Sequence, residues 1–146
     1  MTRLCDVVGF MLPHMPRILI IEDNPWNMQI AQLLLQRAGH EVLQASDASQ
    51  GVALAHSALP QLILMDLNLP GMDGFAATRL LKQNDATRMI KIYAYTPLYC
   101  ELDDPEQYVK IRTAGCDGLI PKNANQADFL AAVAQALEGE TGGAAS

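Results

Sequence analysis

The most constraining feature of the sequence is a short apolar run that ends on an acidic residue and a turn. Residues 62–65 read Leu-Ile-Leu-Met, Asp66 follows them directly, and a Pro-Gly pair occupies residues 70–71. A wholly apolar run of this length is typical of a strand buried on both faces of a parallel sheet. Ligands of open α/β sheets bind at the carboxyl ends of the strands. Asp66 is therefore either a loop cap or a residue of a binding edge, and its neighbours decide between the two.

The rest of the chain repeats this alternation of strand and helix. The predicted strands are residues 17–22, 41–46, 62–65, 89–95 and 118–121. Each strand is followed by a segment that is predicted to be helical, which gives five β-α units. Such units imply a parallel sheet with helices on both faces and right-handed crossovers. The predicted fold class is therefore α/β, a flavodoxin-like (βα)5 doubly wound parallel sheet with strand order 2-1-3-4-5.

Capping residues mark the helix that follows the first strand. Asn24 is predicted to be its N-cap, Pro25 to lie at its first position and Gly39 to end it. The face that this helix buries is predicted to consist of Ile30, Ala31, Leu34 and Leu35. Asn125 is predicted to cap the last helix in the same way.

Length, charge and cysteine content narrow the class of protein. A chain of 146 residues is long enough for one domain with a proper core, which we place at residues 16–138. A net charge of -6 argues against nucleic-acid binding, and no apolar run approaches the roughly 20 residues that span a membrane. The three cysteines lack metal-ligand spacing, which favours a reducing, cytoplasmic location. Residues 1–15 are predicted to form a flexible extension and residues 139–146 a disordered tail.

The ends of the predicted strands bring polar residues to one edge of the sheet. Glu22 and Asp23 follow the first strand and Asp66 the third, so these carboxylates would meet at the switch point of the strand order. Thr96 and Lys122 arrive from the fourth and fifth strands. Three neighbouring carboxylates repel one another, and a hard cation such as Mg2+ would compensate them. These groups together suit phosphoryl transfer onto a carboxylate oxygen.

Four short motifs lie around the same strand ends. They are Ile-Glu-Asp-Asn-Pro-Trp-Asn at residues 21–27, Leu-Met-Asp-Leu-Asn-Leu-Pro-Gly-Met-Asp-Gly at residues 64–74, Ala-Tyr-Thr at residues 94–96 and Gly-Cys-Asp-Gly-Leu-Ile-Pro-Lys at residues 115–122. With these motifs the chain resembles a response-regulator receiver domain of two-component signalling. The resemblance covers residues 17–137, and the combination of motifs is highly specific. The segment after residue 137 is short, so a stand-alone regulator that docks to a partner protein is expected.

The resemblance implies a role for each residue of the acidic edge. Asp66 would be the phosphoacceptor, and Thr96 and Lys122 would contact the phosphoryl group. The implied magnesium ligands are Glu22, Asp23, Asp66 and the backbone carbonyl of Asn68. Members of the family receive the phosphoryl group from a histidine on a kinase or a phosphotransfer domain. The protein would therefore be a phosphorylated switch, with at most slow self-catalysed phosphoryl transfer and dephosphorylation, rather than an enzyme.

Three departures from the usual receiver pattern fall on the face that receivers use to signal. Asn123 follows the lysine where receivers usually have proline, which leaves the direction of the Lys122 side chain open. Leu119 stands where an aromatic switch residue is expected in the fifth strand. Pro97 directly follows Thr96, and the segment from there to Gly115 is longer than usual. These departures keep open a second interpretation, an interaction module that works without phosphorylation.

Two further classes of protein share parts of the pattern. A flavodoxin-type electron carrier has the same fold, but its phosphate-binding loop after the first strand is rich in hydroxyl groups and glycine. Glu22 and Asp23 occupy that position here and would repel a phosphate. A haloacid-dehalogenase-like phosphatase has a second Asp two positions after its nucleophile, where this chain has Asn68. Both classes are therefore less favoured than a receiver.

Overall fold

The computed structural model describes residues 16–69, 71–97 and 105–138. The strands are β1 (Arg17–Ile21), β2 (Glu41–Ala45), β3 (Leu62–Met65), β4 (Lys91–Thr96) and β5 (Gly118–Pro121). The helices are α1 (Pro25–Arg37), α2 (Ala48–Ala58), α3 (Gly74–Gln83), α4 (Pro105–Ala114) and α5 (Gln126–Leu137). Within these segments no helix has the length and apolar character needed to cross a membrane. The predicted extension at residues 1–15 and tail at residues 139–146 lie outside the described residues.

The five strands form one parallel sheet in the order β2-β1-β3-β4-β5, which confirms the predicted fold class. β1 lies between β2 and β3, and its last residue, Ile21, pairs with Ala45 on one side and Met65 on the other. On the far side of β3, the last residue of β4, Thr96, pairs with Pro121. The strands therefore end together, and the residues that follow them share one edge of the sheet.

Apolar side chains cover both faces of the sheet. One cluster joins strand residues such as Leu19 and Ile63 to α2, α3 and α4, and the other joins Ile18 and Leu64 to α1 and α5. All four of these strand side chains are fully buried. Because β1 and β3 are apolar on both faces, they can occupy only the middle of the sheet, which is the position that brings their carboxyl ends together.

The helix caps agree with the predictions, whereas one helical face and one strand boundary do not. The Asn24 side chain accepts two backbone N–H bonds at the start of α1, as predicted for an N-cap. Ile30, predicted to be buried, is 55% exposed, and Met28 is buried in its place. Met28 lies one turn before Ala31 on the buried line of the helix, whereas Ile30 is rotated about 100° from Ala31. β4 begins at Lys91 rather than residue 89, because residues 84–90 form a turn.

Candidate functional site

Backbone pairing at the carboxyl edge of the sheet holds two of the predicted carboxylates in place. The Glu22 N–H donates to the carbonyl of Ala45, and the Asp66 N–H donates to the carbonyl of Ile21, both at 3.0 Å. Glu22 is 2% exposed and Asp66 is 4% exposed, so both carboxylates are buried although they follow a strand end. Asp23 is exposed beside them. The structure therefore brings the three predicted metal-ligating side chains together. The Glu22 and Asp66 side chains are buried, and the Asp23 side chain lies at the surface.

The start of α3 packs directly against the backbone of Asp66. Asp73 is the N-cap of that helix, and its side chain accepts from the Ala76 N–H at 2.8 Å. A Cβ added at Gly74 would lie 2.3 Å from the carbonyl oxygen of Asp66 and 2.8 Å from the Cα of Leu67. Only glycine permits this approach, so Gly74 fixes the Asp66 loop against the helix. The sequence interpretation included Gly74 in a motif but did not assign it this contact.

Each carboxylate oxygen of Asp66 has a contact of its own. Oδ1 accepts from the backbone N–H of Asn68 at 3.0 Å, and Oδ2 lies 3.2 Å from the Lys122 ammonium. That ammonium also lies 2.7 Å from Oε1 of Glu22. The lysine side chain is mostly buried and so bridges the two acidic strand ends. Asn68 is exposed, and the role proposed for its backbone carbonyl stays a prediction.

The charges of this cluster shift the pKa values of its members. Burial raises the pKa of the Glu22 carboxyl, and the charge of Asp66 raises it further, against the lowering effect of the Lys122 and Asn24 donors. Burial alone would lower the pKa of Lys122, but Glu22 and Asp66 outweigh it and raise that pKa. Both shifts favour the bound proton. They are the expected response of a site in which two buried carboxylates face one ammonium group.

The same excess of negative charge makes the cluster a fitting site for a cation. One carboxylate oxygen each from Glu22, Asp23 and Asp66 lies within 4.8 Å of the others. Oε1 of Glu22 is buried, and the Lys122 ammonium at 2.7 Å is its close partner among the described residues, so the second lone pair of this oxygen remains available. Hard oxygen ligands of this kind, with one side open to water, match the preference of Mg2+.

The two other predicted site residues also reach this edge. Thr96 is the last residue of β4 and is 5% exposed. Lys122 follows β5 directly, and its backbone N–H donates to the carbonyl of Thr96 at 2.9 Å. The ends of β4 and β5 are thereby joined beside Asp66. The Lys122 side chain is directed into the acidic cluster although Asn123 follows it in place of proline, because the Lys122 ammonium lies between Glu22 and Asp66.

Tyr95, which was not among the predicted site residues, borders the same site. The ring of Tyr95 lies 5.6 Å from the Lys122 ammonium, measured to the ring centroid. Burial raises the pKa of Tyr95 to about 12, and the charges of Glu22 and Asp66 add to the shift. The phenol is therefore neutral at ordinary pH. Its position one residue before Thr96 was visible in the sequence, but its approach to Lys122 depends on the register of β4 against β5.

The three departures from the receiver pattern lie at or next to β4 and β5, at the edge of the sheet that is far from β2. Leu119 is half-buried in β5 and packs against the cluster of α2, α3 and α4. Pro97 ends the described part of the longer segment, and residues 98–104 lie outside the described residues.

A doubly wound sheet with an acidic pocket, a threonine and a lysine at its carboxyl edge defines the receiver class of signalling domains. A family model described as the response regulator receiver domain matches residues 18–134. The chain belongs to this family, which confirms the resemblance drawn from the motifs.

Individual relatives are receivers of several kinds. Protein PilH of Pseudomonas aeruginosa is 40% identical over 89 residues, which cover 61% of this chain and 74% of PilH. The polar-differentiation response regulator DivK of Brucella anthropi is 32% identical over 117 residues, which cover 80% of this chain and 92% of DivK. The receiver domain of a sensor histidine kinase from Pseudomonas aeruginosa PAO1 has a TM-score of 0.74 and 30% identity, covering 85% of this chain and 98% of that domain. That crystal structure has a magnesium ion coordinated in its active site cleft.

Proposed function

We propose that this protein accepts a phosphoryl group on Asp66 from a phosphohistidine of a kinase or phosphotransfer domain, in a reaction that depends on Mg2+. The observation that carries the proposal is the environment of the Asp66 carboxylate. It is buried, held at one oxygen by the Asn68 N–H at 3.0 Å and approached at the other by the Lys122 ammonium at 3.2 Å. A buried carboxylate with fixed direction and an ammonium group beside it is suited to attack on phosphorus.

In the proposed reaction a carboxylate oxygen of Asp66 attacks the phosphorus of the donor. The P–O bond of an acyl phosphate forms while the P–N bond to the histidine breaks, and the histidine nitrogen takes the electron pair. Lys122 can follow the phosphoryl oxygens because its side chain is long and rotatable. The Thr96 hydroxyl, one strand away, is a donor for the same oxygens. The chain contributes positioning and charge, which are the main sources of catalysis in phosphoryl transfer.

The metal would be held by the three carboxylates of Glu22, Asp23 and Asp66. When bound, Mg2+ offsets the charge of the phosphoryl oxygens and the carboxylates together. The geometry that supports this assignment is the spacing of 4.8 Å or less among the three side chains. The magnesium-containing receiver from Pseudomonas aeruginosa supports it as well. In Asp23→Asn the affinity for Mg2+, measured by titration calorimetry, should fall at least tenfold, whereas Asp85→Asn, at an exposed turn, should bind as the wild type does.

After transfer, we propose that the acyl phosphate persists and is read by a docking partner. Asn68 cannot act as a general acid or base for hydrolysis, so turnover would be slow and the protein would serve as a switch rather than as an enzyme. Among its sequence relatives, DivK of Brucella anthropi carries the name of a polar-differentiation response regulator. The partner itself is defined only as a protein that distinguishes the two states of Asp66.

Chemical trapping can test the position of the acyl phosphate. The protein would be incubated with Mg2+ and a small phosphoryl donor such as acetyl phosphate, then treated with borohydride, which reduces an aspartyl phosphate to homoserine. Mass spectrometry of the peptide containing residues 62–74 should find homoserine at position 66, and omission of Mg2+ should remove it. Homoserine at another aspartate, or a label that resists base, would contradict the assignment.

The half-burial of Leu119 favours a second candidate function, docking that does not depend on phosphorylation. Leu119 packs against the core cluster and has neither a ring nor a polar group to exchange between surface and core. Beryllofluoride with Mg2+, which mimics the phosphoryl group, separates the two functions. Under the first function it should change the affinity for the partner or the hydrogen exchange of β5 and α4. Under the second it should bind the pocket and leave both unchanged.

A further inference from the structure

Lys122 has an aromatic neighbour in addition to its two carboxylates. Its ammonium lies 5.6 Å from the centroid of the Tyr95 ring, within the distance at which a cation is attracted to a ring face. Glu22 Oε1 and Asp66 Oδ2 are its other close contacts, at 2.7 and 3.2 Å. An ammonium group has three N–H donors, so two carboxylate oxygens and one ring can account for all three directions.

The ring itself is held in place from the far side. Tyr95 is 5% exposed, and its ring packs on the ring of Phe129 in α5 with centroids 5.9 Å apart and planes tilted by 45°. In the sheet Tyr95 pairs with Ile120, two residues before Lys122. A lysine that follows β5 at this register therefore passes beside a ring that is buried and packed against Phe129. Such fixed packing is what a positioning contact requires.

The ring also differs from the carboxylates in what it does when the site is used. Glu22 and Asp66 are the side chains that would turn to a cation or to the phosphoryl group, and their hold on Lys122 would then weaken. The Tyr95 ring is neutral and has no ligand role there, so its attraction for the ammonium is unchanged. This matters in a chain where Asn123 stands in place of the usual proline after the lysine.

We propose that Tyr95 is a positioning residue for phosphoryl transfer, whose ring face keeps the Lys122 ammonium directed at Asp66. The proposal rests on the proposed function of Asp66 and adds a residue to it. The aromatic ring, rather than the hydroxyl group, is the active part. Tyr95→Phe should therefore behave as the wild type does, whereas Tyr95→Leu should slow the phosphorylation of Asp66.

The kinetic test measures the rate of Asp66 phosphorylation by acetyl phosphate at saturating Mg2+. Tyr95→Leu should be slower by about three- to thirtyfold, the range that the loss of a cation–π contact predicts, and Tyr95→Phe should stay within about twofold of the wild type. A series with one, two and three fluorine atoms on a phenylalanine at position 95 should slow the reaction stepwise, because fluorine weakens the ring quadrupole while the ring keeps nearly the same shape.

A merely structural role for Tyr95 would give a different result in the Lys122→Met background. If the ring acts through the ammonium, Tyr95→Leu should cause no further loss of rate once the ammonium is gone. A continued loss in that background would overturn the proposal, as would equal rates for Tyr95→Leu and the wild type. The Mg2+ affinity should be the same in all Tyr95 variants, because Tyr95 is not one of the proposed metal ligands.

One measurement keeps the proposal testable if Asp66 proves not to be a phosphoacceptor. The ¹⁵N and ¹Hζ chemical shifts of the Lys122 ammonium report on an aromatic ring in the resting protein, without any phosphoryl transfer. They should move in Tyr95→Leu and stay nearly unchanged in Tyr95→Phe. Failure of labelling in the wild type would refute the proposed function alone, and unchanged shifts in Tyr95→Leu would refute the contact alone.

Discussion

The two sides of the sheet differ in how tightly they are held. The acceptor side consists of β1 and β3 with the residues that follow them, and every residue of β3 and all but the first residue of β1 are buried. The readout side consists of β5 and α4, where Ile120 alone is buried among the β5 residues and Val109 of α4 is 59% exposed. The acceptor side carries the acidic pocket, and the readout side carries Leu119 and Asn123, where the chain departs from other receivers.

Under the proposed function, this difference in burial would place the chemistry at Asp66 and the surface for a partner on different parts of the sheet. A strand buried on both faces permits few changes, because each of its side chains is packed on a helix layer. A substitution in a half-buried edge strand costs less stability, so the residues of such a strand can vary with the partner. Single substitutions on the acceptor side should therefore lower both the free energy of unfolding and the rate of Asp66 phosphorylation. Single substitutions on the readout side should change both quantities less.

The largest expected effect is on the acceptor carboxylate itself. Asp66→Asn should abolish labelling by acetyl phosphate, because an amide oxygen is a poor nucleophile and gives no stable acyl phosphate. Asp85→Asn is the matched control, since Asp85 is exposed at a turn and forms a long ion pair with Arg88. Labelling of Asp66→Asn at a rate near that of the wild type would show that the buried carboxylate is not the acceptor.

The next effect concerns the packing of α3 on the Asp66 loop. Gly74→Ala should lower the free energy of unfolding by about 2–3 kcal/mol, because the added methyl group meets backbone atoms that no side-chain rotation can move. Gly71→Asn is a control with open space at the Cβ position and a φ of 77°, and it should cost about 1 kcal/mol or less. Urea denaturation checks both values. A loss of about 1 kcal/mol or less in Gly74→Ala would mean that the backbone near Asp66 can move to accept the added methyl group.

Tyr95 lies at the border of the two sides and gives a smaller, pH-dependent effect. Its folded pKa is raised to about 12 from an ordinary value of 10.0, so its contribution to stability is complete below pH 10 and is lost as the pH rises through 12. The advantage of the wild type over Tyr95→Phe in free energy of unfolding should shrink by about 2 kcal/mol across that interval. Urea denaturation at pH 9 and near pH 12 measures it. A difference that is constant with pH would show an accessible, ordinary phenol.

Sequence alone was sufficient for the parts of the molecule that local patterns determine. The apolar runs of β1 and β3 have no other place than the centre of a parallel sheet, and Asn24 and Asn125 cap their helices as their side chains predict. The acidic pocket follows from these strand ends together with the strand order. Ile30 was assigned to the wrong face because α1 is apolar over more than one stripe, and Ala31 with Leu35 define the buried one.

The parts that could not be predicted depend on contacts between distant segments. Tyr95 meets Lys122 only through the pairing of β4 with β5, and a one-residue change of register would turn its ring to the other face. Gly74 needs the α3 start to touch the Asp66 loop, which no local pattern shows. The direction of Lys122 was left open because Asn123 follows it in place of proline, and the carboxylates that attract its ammonium come from the ends of β1 and β3.

The smallest effect tests the readout side. Leu119→Ala should lower the free energy of unfolding by about 1 kcal/mol, because the side chain is only half-buried, and should leave the rate of Asp66 labelling unchanged. Ile120→Ala, in the same strand but fully buried, should cost about 2 kcal/mol or more. Urea denaturation gives the stabilities and acetyl phosphate labelling gives the rates. If Leu119→Ala slowed labelling as much as Tyr95→Leu does, the readout side would be coupled to the acceptor chemistry, and the division between the two sides would have to be abandoned.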